Sequence, residues 1–244
     1  NNNFKCPKPI KNKNGEVINS IKNKKASIIS YIKGEKINIP KDDNCNEVGK
    51  MVGSLHNLTK NYTYKRKNSL DIVELKNIFL KFKDNKEKKF ELCFYELKNE
   101  IDFLEKSLPK NLPSGIIHAD LFKDNIFFED EKISGVIDFY FSCYHFFLYD
   151  ICIIINDWCF EKNGEIFLEK SFKAVIEGYN SMRKLTNDEI EKLNIILRLA
   201  AVRILVTRIY DYIFHPKDAV VIKKDPFQYY NILKWHQKNN ITDI

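Results

Sequence analysis

The sequence predicts an α+β fold in which a large, mostly helical part follows a small β-rich segment. Two observations favour this class. After about residue 42, most apolar residues recur at helical spacing, and only the stretch 115–137 interrupts that pattern with short β-like runs. Of the 244 residues, 44% are hydrophobic, which is enough to build one large core.

The predicted β elements are short. An apolar, β-branched run at 26–32 (ASIISYI), followed by Gly34, predicts a buried strand that ends in a turn. A second β region begins at 115–117. The apolar runs 126–128 and 133–137 flank a charged turn, and this arrangement predicts a hairpin.

The helical part begins near Asp42, because apolar residues fall at i, i+3, i+4 and i+7 from Val48 to Leu55. Asp42 or Asp43 is expected to cap this helix at its N-terminus. The same kind of spacing predicts further helices at 69–82, 87–108, 147–160, 165–182, 187–214 and 226–237.

The most informative stretch is IIHADLFKDNIFFEDEKISGVIDFY, residues 116–140. It contains His118, Asp120 and Asn125 in the pattern H-x-D-x-x-x-x-N, and an apolar run that ends at Asp138. Phosphoryl transfer needs a carboxylate that orients the attacking hydroxyl, and oxygen ligands for the Mg²⁺ that bridges the nucleotide phosphates. The alternative is that these side chains only cap a loop and end a strand.

The predicted hairpin favours the chemical interpretation. Pairing Phe128 with Ile133 across the four-residue turn puts Asn125 opposite Val136. Asp138 then lies just beyond, at the same end of the hairpin. One amide and one carboxylate therefore come together close to the loop that bears the first aspartate.

This segment resembles the catalytic and metal-binding segments of the aminoglycoside phosphotransferase family. The resemblance implies a protein-kinase-like fold that uses ATP and Mg²⁺. It implies that Asp120 is the catalytic base, that Asn125 and Asp138 are Mg²⁺ ligands and that His118 supports the loop.

Residues 27–34 resemble the last strand of this family's small lobe and its hinge, which would bring the backbone of Ser30, Tyr31 and Ile32 to the adenine. The family's phosphate-covering loop and phosphate-gripping lysine do not occur in the chain. We therefore expect residues 1–33 to be the remnant of a small lobe with its hinge and 34–244 to be the large catalytic lobe. On this view the chain is N-terminally truncated and binds ATP poorly by itself.

Several pieces narrow the resemblance to the homoserine kinases of this type. They are HADLFKDNIFF, GVIDFYFSC, YDICIIINDWCFE, and RILVTRIYDY followed by KDP. The implied activity is ATP-dependent phosphorylation of the side-chain hydroxyl of L-homoserine to O-phospho-L-homoserine, a step of threonine biosynthesis. The open alternatives are a related kinase of another small hydroxyl compound, such as an aminoglycoside or choline, and a non-catalytic fragment.

Homoserine carries a carboxylate, which arginine binds bidentately, so Arg203 and Arg208 are candidates for substrate binding. Five residues apart on a helix, they point about 140° apart, and both cannot reach one ligand without a bend. Tyr140, just past the metal aspartate, is a further candidate, with a place in the core as its alternative. We expect Asp150 to anchor the catalytic loop through backbone N–H groups, and His56 to be structural.

The composition argues against several other classes of function. The net charge is +7, but the lysines are spread over the whole chain, which argues against a nucleic-acid partner. No uncharged run of about 18 apolar residues occurs, so we expect no membrane span, and a cytoplasmic location is the default. The six cysteines are scattered without a metal-binding or disulfide pattern. The oligomeric state is not determined by the sequence.

Overall fold

The fold is known from a computed structural model that describes residues 4–215 and 223–241, and its α+β architecture confirms the predicted class. The helices in those ranges are α1 (Asp42–Thr59), α2 (Ile72–Leu80), α3 (Glu91–Ser107), α4 (Phe147–Trp158), α5 (Glu169–Met182), α6 (Asn187–Phe214) and α7 (Phe227–Lys238). The strands are β1 (Pro9–Ile10), β2 (Asn19–Ile21), β3 (Lys24–Ala26), β4 (Ile28–Ile29), β5 (Glu35–Lys36), β6 (Ser114–Ile117), β7 (Ile126–Glu129), β8 (Lys132–Val136), β9 (Cys143–Phe146), β10 (Phe160–Glu161) and β11 (Ile166–Phe167).

All pairings between described strands are antiparallel. They form a three-stranded sheet in the order β5-β7-β8 and the pairs β1-β4, β2-β3, β6-β9 and β10-β11. Strand β9 was not predicted, because its aromatic residues merge with the apolar helix α4 that follows. Its pairing with β6 supports the strand that leads into the predicted catalytic motif.

The prediction of one buried strand at 26–32 is wrong. The run is divided between β3 and β4, and Ile28 and Ile29 are 67% and 57% exposed. The physical reason is that β4 belongs to a two-stranded sheet, which has no described layer packed over these side chains. The predicted turn is present at Gly34, whose φ of +121° favours glycine.

The hairpin β7–β8 forms with one difference in register. Phe128 pairs with Ile133 as predicted, but the next pair is Phe127 with Gly135, so Ser134 is the extra residue of a bulge. Asn125 therefore lies opposite Ile137 instead of Val136, and the N–H of Ile137 donates to the Asn125 carbonyl oxygen at 2.9 Å. The bulge brings Asn125 one residue closer to Asp138 in the pairing than the sequence suggested.

The core is built around α4, of which every residue is buried. It packs against α6, while α1 packs closely against α5. The close approach of α1 and α5 depends on Gly49, because a Cβ there would lie 2.2 Å from the carbonyl oxygen of Val175. A helix that is apolar around its whole circumference is typical of a buried position, so the few polar residues of α4 need partners.

Helix ends differ in detail from the sequence predictions. Lys41 is the N-cap of α1, so the prediction of Asp42 or Asp43 was wrong, and both aspartates lie in the first turn. There they still favour the helix, because acidic side chains interact well with the N-terminal end of the helix dipole. None of the described helices combines the length and the apolar character needed to cross a membrane. The six cysteines are free thiols.

Candidate active site

Residues 118–125, which follow β6, form the loop that bears the predicted catalytic residues, and we call it the catalytic loop. Asp150 on α4 holds its start, because the carboxylate accepts the backbone N–H of His118 at 2.8 Å and that of Ala119 at 2.6 Å. This confirms the predicted anchoring role. Burial raises the pKa of Asp150, but hydrogen bonds from His56 and from the loop outweigh burial and hold that pKa below its usual value.

The backbone of Ala119 is strained. Its φ of +63° lies in the left-handed region, which residues other than glycine rarely adopt. The N–H of Ala119 is held by Asp150, and its carbonyl oxygen accepts Nη1 of Arg203 at 2.6 Å. Such a conformation costs about 1–3 kcal/mol and persists where the surrounding contacts determine it. Helices α4 and α6 therefore set the direction in which the chain enters Asp120.

His118 connects the catalytic loop to the end of the hairpin. Its Nε2 donates to the carbonyl oxygen of Ile137 at 3.0 Å, and its Nδ1 accepts the N–H of Asp120 at 3.2 Å. These two contacts select the neutral tautomer with the proton on Nε2, and burial lowers the pKa of the imidazole. The loop and the residue before Asp138 are thus held together by one uncharged side chain.

Asp120 lies at the centre of the site with 14% of its side chain exposed. Its Oδ1 pairs with Nη2 of Arg203 at 3.0 Å, and its Oδ2 accepts Nδ2 of Asn125 at 3.1 Å. Burial raises the pKa of this carboxyl, and the charge of Arg203 opposes the rise. A carboxylate that is oriented at both oxygens and still reachable from solvent can orient a hydroxyl and accept its proton.

The middle of the catalytic loop has its own anchors on α4. The carboxylate of Asp157 accepts the N–H of Lys123 at 2.8 Å, and the indole N–H of Trp158 donates to the carbonyl oxygen of Leu121 at 3.2 Å. Burial raises the pKa of Asp157, and the nearby Lys123 charge opposes the rise. Polar groups on the last turn of a buried helix are thereby satisfied by the loop backbone.

The residues present fit the Mg²⁺ that the resemblance implies. Nδ2 of Asn125 donates to the backbone oxygen of Asp120 at 2.8 Å as well as to its carboxylate, so the amide Oδ1 remains available as a ligand. Asp138, at φ +63°, supplies a carboxylate from the same end of the hairpin. Mg²⁺ commonly takes one or two protein ligands together with substrate phosphates. Within the described residues, no three His, Cys, Asp or Glu side chains cluster as a metal site.

A buried chain of side chains supports Asp150 from behind. Nε2 of His56 lies 3.2 Å from the Asp150 carboxylate, and Nδ1 of His56 lies 2.9 Å from the Tyr179 hydroxyl. Nη1 of Arg183 donates to that hydroxyl at 2.7 Å. Burial lowers the pKa of His56 despite the neighbouring carboxylate. His56 is therefore a satisfied structural histidine, as predicted.

The three residues predicted for substrate binding lie in different surroundings. Tyr140 is 70% exposed beside Asp138, so it is not part of the core. Arg203 is at the site, but it is buried and its guanidinium already bonds to the catalytic loop. Arg208 donates to the carbonyl oxygen of Asp225 at 3.0 Å and to the side chain of Gln228 at 2.7 Å, where it holds the start of α7. The two arginines do not converge on one point.

The predicted hinge lies against the hairpin. Ser30 exchanges hydrogen bonds with Lys8, Tyr31 is 85% exposed, and Ile32 is half-buried against Gly135 of β8. The carbonyl oxygen of Lys33 accepts the Ser134 hydroxyl at 2.5 Å. The bulge residue of the hairpin thus also holds the end of the predicted hinge.

Two residues that bond to the catalytic loop or to Tyr140 were not found from the sequence. Asp157 lies in the apolar segment that resembles homoserine kinases, but only the folded loop gives its carboxylate a partner. Arg66 lies on the irregular segment after α1, and its Nη1 donates to the carbonyl oxygen of Tyr140 at 2.6 Å. The rarity of arginine, five residues against 35 lysines among the 40 basic ones, was the available signal.

Comparisons with a family profile and with individual proteins point to the same family of phosphotransferases. The profile of the "Phosphotransferase enzyme family" matches residues 1–185. A homoserine kinase of Agrobacterium fabrum is 39% identical over 95% of this chain and 72% of that protein. One of Rhizobium etli (strain CFN 42) is 38% identical over 96% of this chain and 72% of that protein.

Solved structures share the fold. An amicoumacin kinase in complex with AMP-PNP and Ca²⁺ superimposes with a TM-score of 0.71 at 17% identity, over 99% of this chain and 75% of that one. A microcompartment-associated aminopropanol kinase gives a TM-score of 0.66 at 15% identity, over 96% and 73% of the two chains.

Proposed function

Because the chain belongs to the phosphotransferase enzyme family, we propose that it transfers the γ-phosphoryl group of ATP to the side-chain hydroxyl of L-homoserine. The geometry that supports the transfer is the Asp120 carboxylate, oriented by Arg203 and Asn125 close to the strand end that carries Asp138. The choice of acceptor rests on relatives named homoserine kinase that match almost the whole chain.

In the proposed reaction, the homoserine hydroxyl oxygen forms a bond to the γ-phosphorus while the bond to the β,γ-bridging oxygen breaks. Asp120 orients the hydroxyl and takes its proton, and ADP leaves. Arg203 keeps the Asp120 carboxylate in place and limits the rise of its pKa. Asn125 holds the second carboxylate oxygen.

Asn125 and Asp138 are proposed to hold Mg²⁺, which when bound neutralises charge on the nucleotide phosphates. The backbone of Ser30, Tyr31 and Ile32 is proposed to meet the adenine. Support for this comes from Ile32, which packs on β8, the strand that leads to the aspartate of the metal site.

We propose that the chain divides into a small-lobe part, 1–33, and a large lobe, 34–244. The strand pairs β1-β4 and β2-β3 lie entirely within the first part, and Gly34 forms the turn after it. The cytoplasmic location, and the absence of a nucleic-acid partner, remain predictions from the sequence.

The test is a comparison of acceptors with Mg-ATP, in which ADP release is measured at an ATP concentration high enough to allow for the weak ATP binding expected of this chain. We expect turnover with L-homoserine and not with choline, spectinomycin or an aminoglycoside, and we expect chelation of Mg²⁺ to abolish it. Asp120→Asn is the matched control for contaminating kinases. Turnover with one of the other acceptors and none with homoserine would refute the assignment.

A further inference from the structure

Four of the five arginines are already committed to protein partners. Arg198 forms a bidentate pair with Glu100 at 2.7 and 2.6 Å, and Arg183 pairs with Glu189 at 3.0 Å. Arg203 bonds to the catalytic loop, and Arg208 bonds to the residues that begin α7. The four guanidinium groups are therefore held by protein acceptors, and we assign no ligand carboxylate to them.

Arg66 differs from them. It is exposed, and the described hydrogen bond of its side chain runs from Nη1 to the backbone carbonyl oxygen of Tyr140. No carboxylate of the described residues lies within ion-pair distance of it. Its guanidinium carbon lies 5.7 Å from the centre of the Tyr140 ring, which gives it a lateral support but leaves Nη2 and Nε without a described acceptor.

Tyr140 links this guanidinium to the reacting centre. Its N–H donates to Oδ1 of Asp138 at 3.3 Å, while its carbonyl oxygen accepts Arg66. On the other side of the same short turn, the ring of Phe141 lies 4.9 Å from the guanidinium of Arg203, which pairs with Asp120. The short turn Phe139–Phe141 thus separates the guanidinium of Arg66, with its remaining N–H donors, from the proposed base and metal ligands.

We propose that Arg66 binds the carboxylate of the acceptor and thereby selects an amino acid over a simple amino alcohol. The inference rests on the proposed function, because it takes homoserine as the acceptor. A planar guanidinium held by one hydrogen bond keeps the other donors of its fork in fixed directions, which suits bidentate binding of a carboxylate. The Tyr140 ring, 70% exposed, covers one side of the pair.

The lysines on either side of Arg66 favour an anion near its guanidinium, but their own charged groups do not take the place of that guanidinium. Lys65 precedes Arg66, but its ammonium lies 4.4 Å from the centre of the Tyr144 ring. Lys67 follows it and pairs with Asp71 at 3.0 Å. Both lysines raise the local positive potential, and neither has its charged group beside Tyr140.

The experiment compares two acceptors in wild type and variants. L-homoserine carries the carboxylate, and 3-amino-1-propanol is the same molecule without it. We expect Arg66→Met to lower kcat/KM for homoserine by roughly 30-fold or more, as truncating one side of a charged pair commonly does. We expect kcat/KM for 3-amino-1-propanol to stay within about twofold of the wild-type value. This acceptor has no carboxylate, so it has no interaction with Arg66 to lose.

Two further variants sharpen the result. Arg66→Lys keeps the charge without the fork, and we expect it to recover only part of the activity on homoserine. Lys65→Ala removes an adjacent charge that points elsewhere, and we expect the ratio between the two acceptors to stay at its wild-type value.

The outcomes separate this inference from the proposed function. If wild type phosphorylates homoserine and Arg66→Met lowers kcat/KM equally for both acceptors, or for neither, then Arg66 does not bind the carboxylate. If wild type does not phosphorylate homoserine at all, the proposed function fails, and the role of Arg66 fails with it. A change in the acceptor ratio with Lys65→Ala as large as with Arg66→Met would also overturn the inference.

Discussion

Asp150 accepts the backbone N–H of Ala119 at 2.6 Å, from the centre of a helix that is otherwise almost entirely apolar. The pair joins the most buried helix of the fold to the most strained residue of the catalytic loop. A buried carboxylate is costly unless it is hydrogen-bonded, and a left-handed alanine is costly unless it is held. Each residue therefore offsets the energetic cost of the other.

Asp150→Asn is expected to reduce both stability and turnover. The asparagine amide can accept only one of the two loop N–H groups, and its own NH₂ group would face the other donor. We expect the free energy of unfolding to fall by about 3 kcal/mol and kcat to fall more than KM changes. Urea titration and steady-state kinetics measure these effects. Asp84→Asn, on an exposed aspartate remote from the loop, is the control and should change neither quantity.

Removal of either proposed metal ligand is expected to weaken nucleotide binding that depends on Mg²⁺. Asn125→Ala and Asp138→Ala each delete one oxygen donor, and we expect turnover to fall at least roughly 100-fold. Calorimetry with ATP at concentrations that suit weak binding, with and without Mg²⁺, separates metal loss from general damage. Glu129→Ala, at the far end of the same hairpin, should behave as wild type. Unchanged Mg²⁺ dependence in both ligand variants would contradict the metal site.

Arg203 is expected to control the pH dependence of the reaction through Asp120. Burial raises the pKa of Asp120, and Arg203 lowers it. A base acts when deprotonated, so the rate falls as the pH drops through this pKa. Arg203→Met removes the lowering influence, and we expect the acidic limb of kcat/KM to move to higher pH, measured over about pH 5 to 8. Arg203→Lys, which keeps a positive charge, should move it less. A limb that stays in place, or moves to lower pH, would refute the coupling.

His145 is expected to make the fold less stable in acid. Burial lowers the pKa of His145 to about 4, below its value in the unfolded chain. The unfolded chain therefore binds an extra proton between the two pKa values, and stability falls by up to about 1.4 kcal/mol per pH unit as the pH drops through that window. The buried Nδ1 of His145 has no hydrogen-bond partner among the described residues.

His145→Phe removes this group, and we expect the free energy of unfolding to fall less steeply between about pH 6 and 4.5, by close to one proton. Urea titrations at several pH values measure the slope. His215→Phe, on a half-buried residue at the end of α6, is the comparison variant. A slope equal to that of wild type would mean that His145 titrates alike in both states.

The helical elements and the catalytic motif were predictable because both are local in sequence. The spacing of apolar residues predicted α6 at its observed bounds. The pattern H-x-D-x-x-x-x-N followed by a hairpin predicted that Asn125 and Asp138 lie at one end of the hairpin, close to the loop that bears Asp120. The resemblance of most of the chain to known kinases also predicted the fold family. The register of Asn125 was missed, because a bulge depends on what packs against the strand: here, Ser134 bonds to Lys33.

The sequence by itself determined which residues are candidates for the chemistry, since a phosphoryl-transfer motif and an apolar periodicity are properties of neighbouring residues. The tertiary structure alone decided how the arginines are used. Arg203 and Arg66 are 137 positions apart, yet one bonds to Asp120 and the other to Tyr140 on either side of the same turn. A guanidinium reaches several ångströms from its backbone, and its partner is set by the packing of distant elements, which no local pattern records.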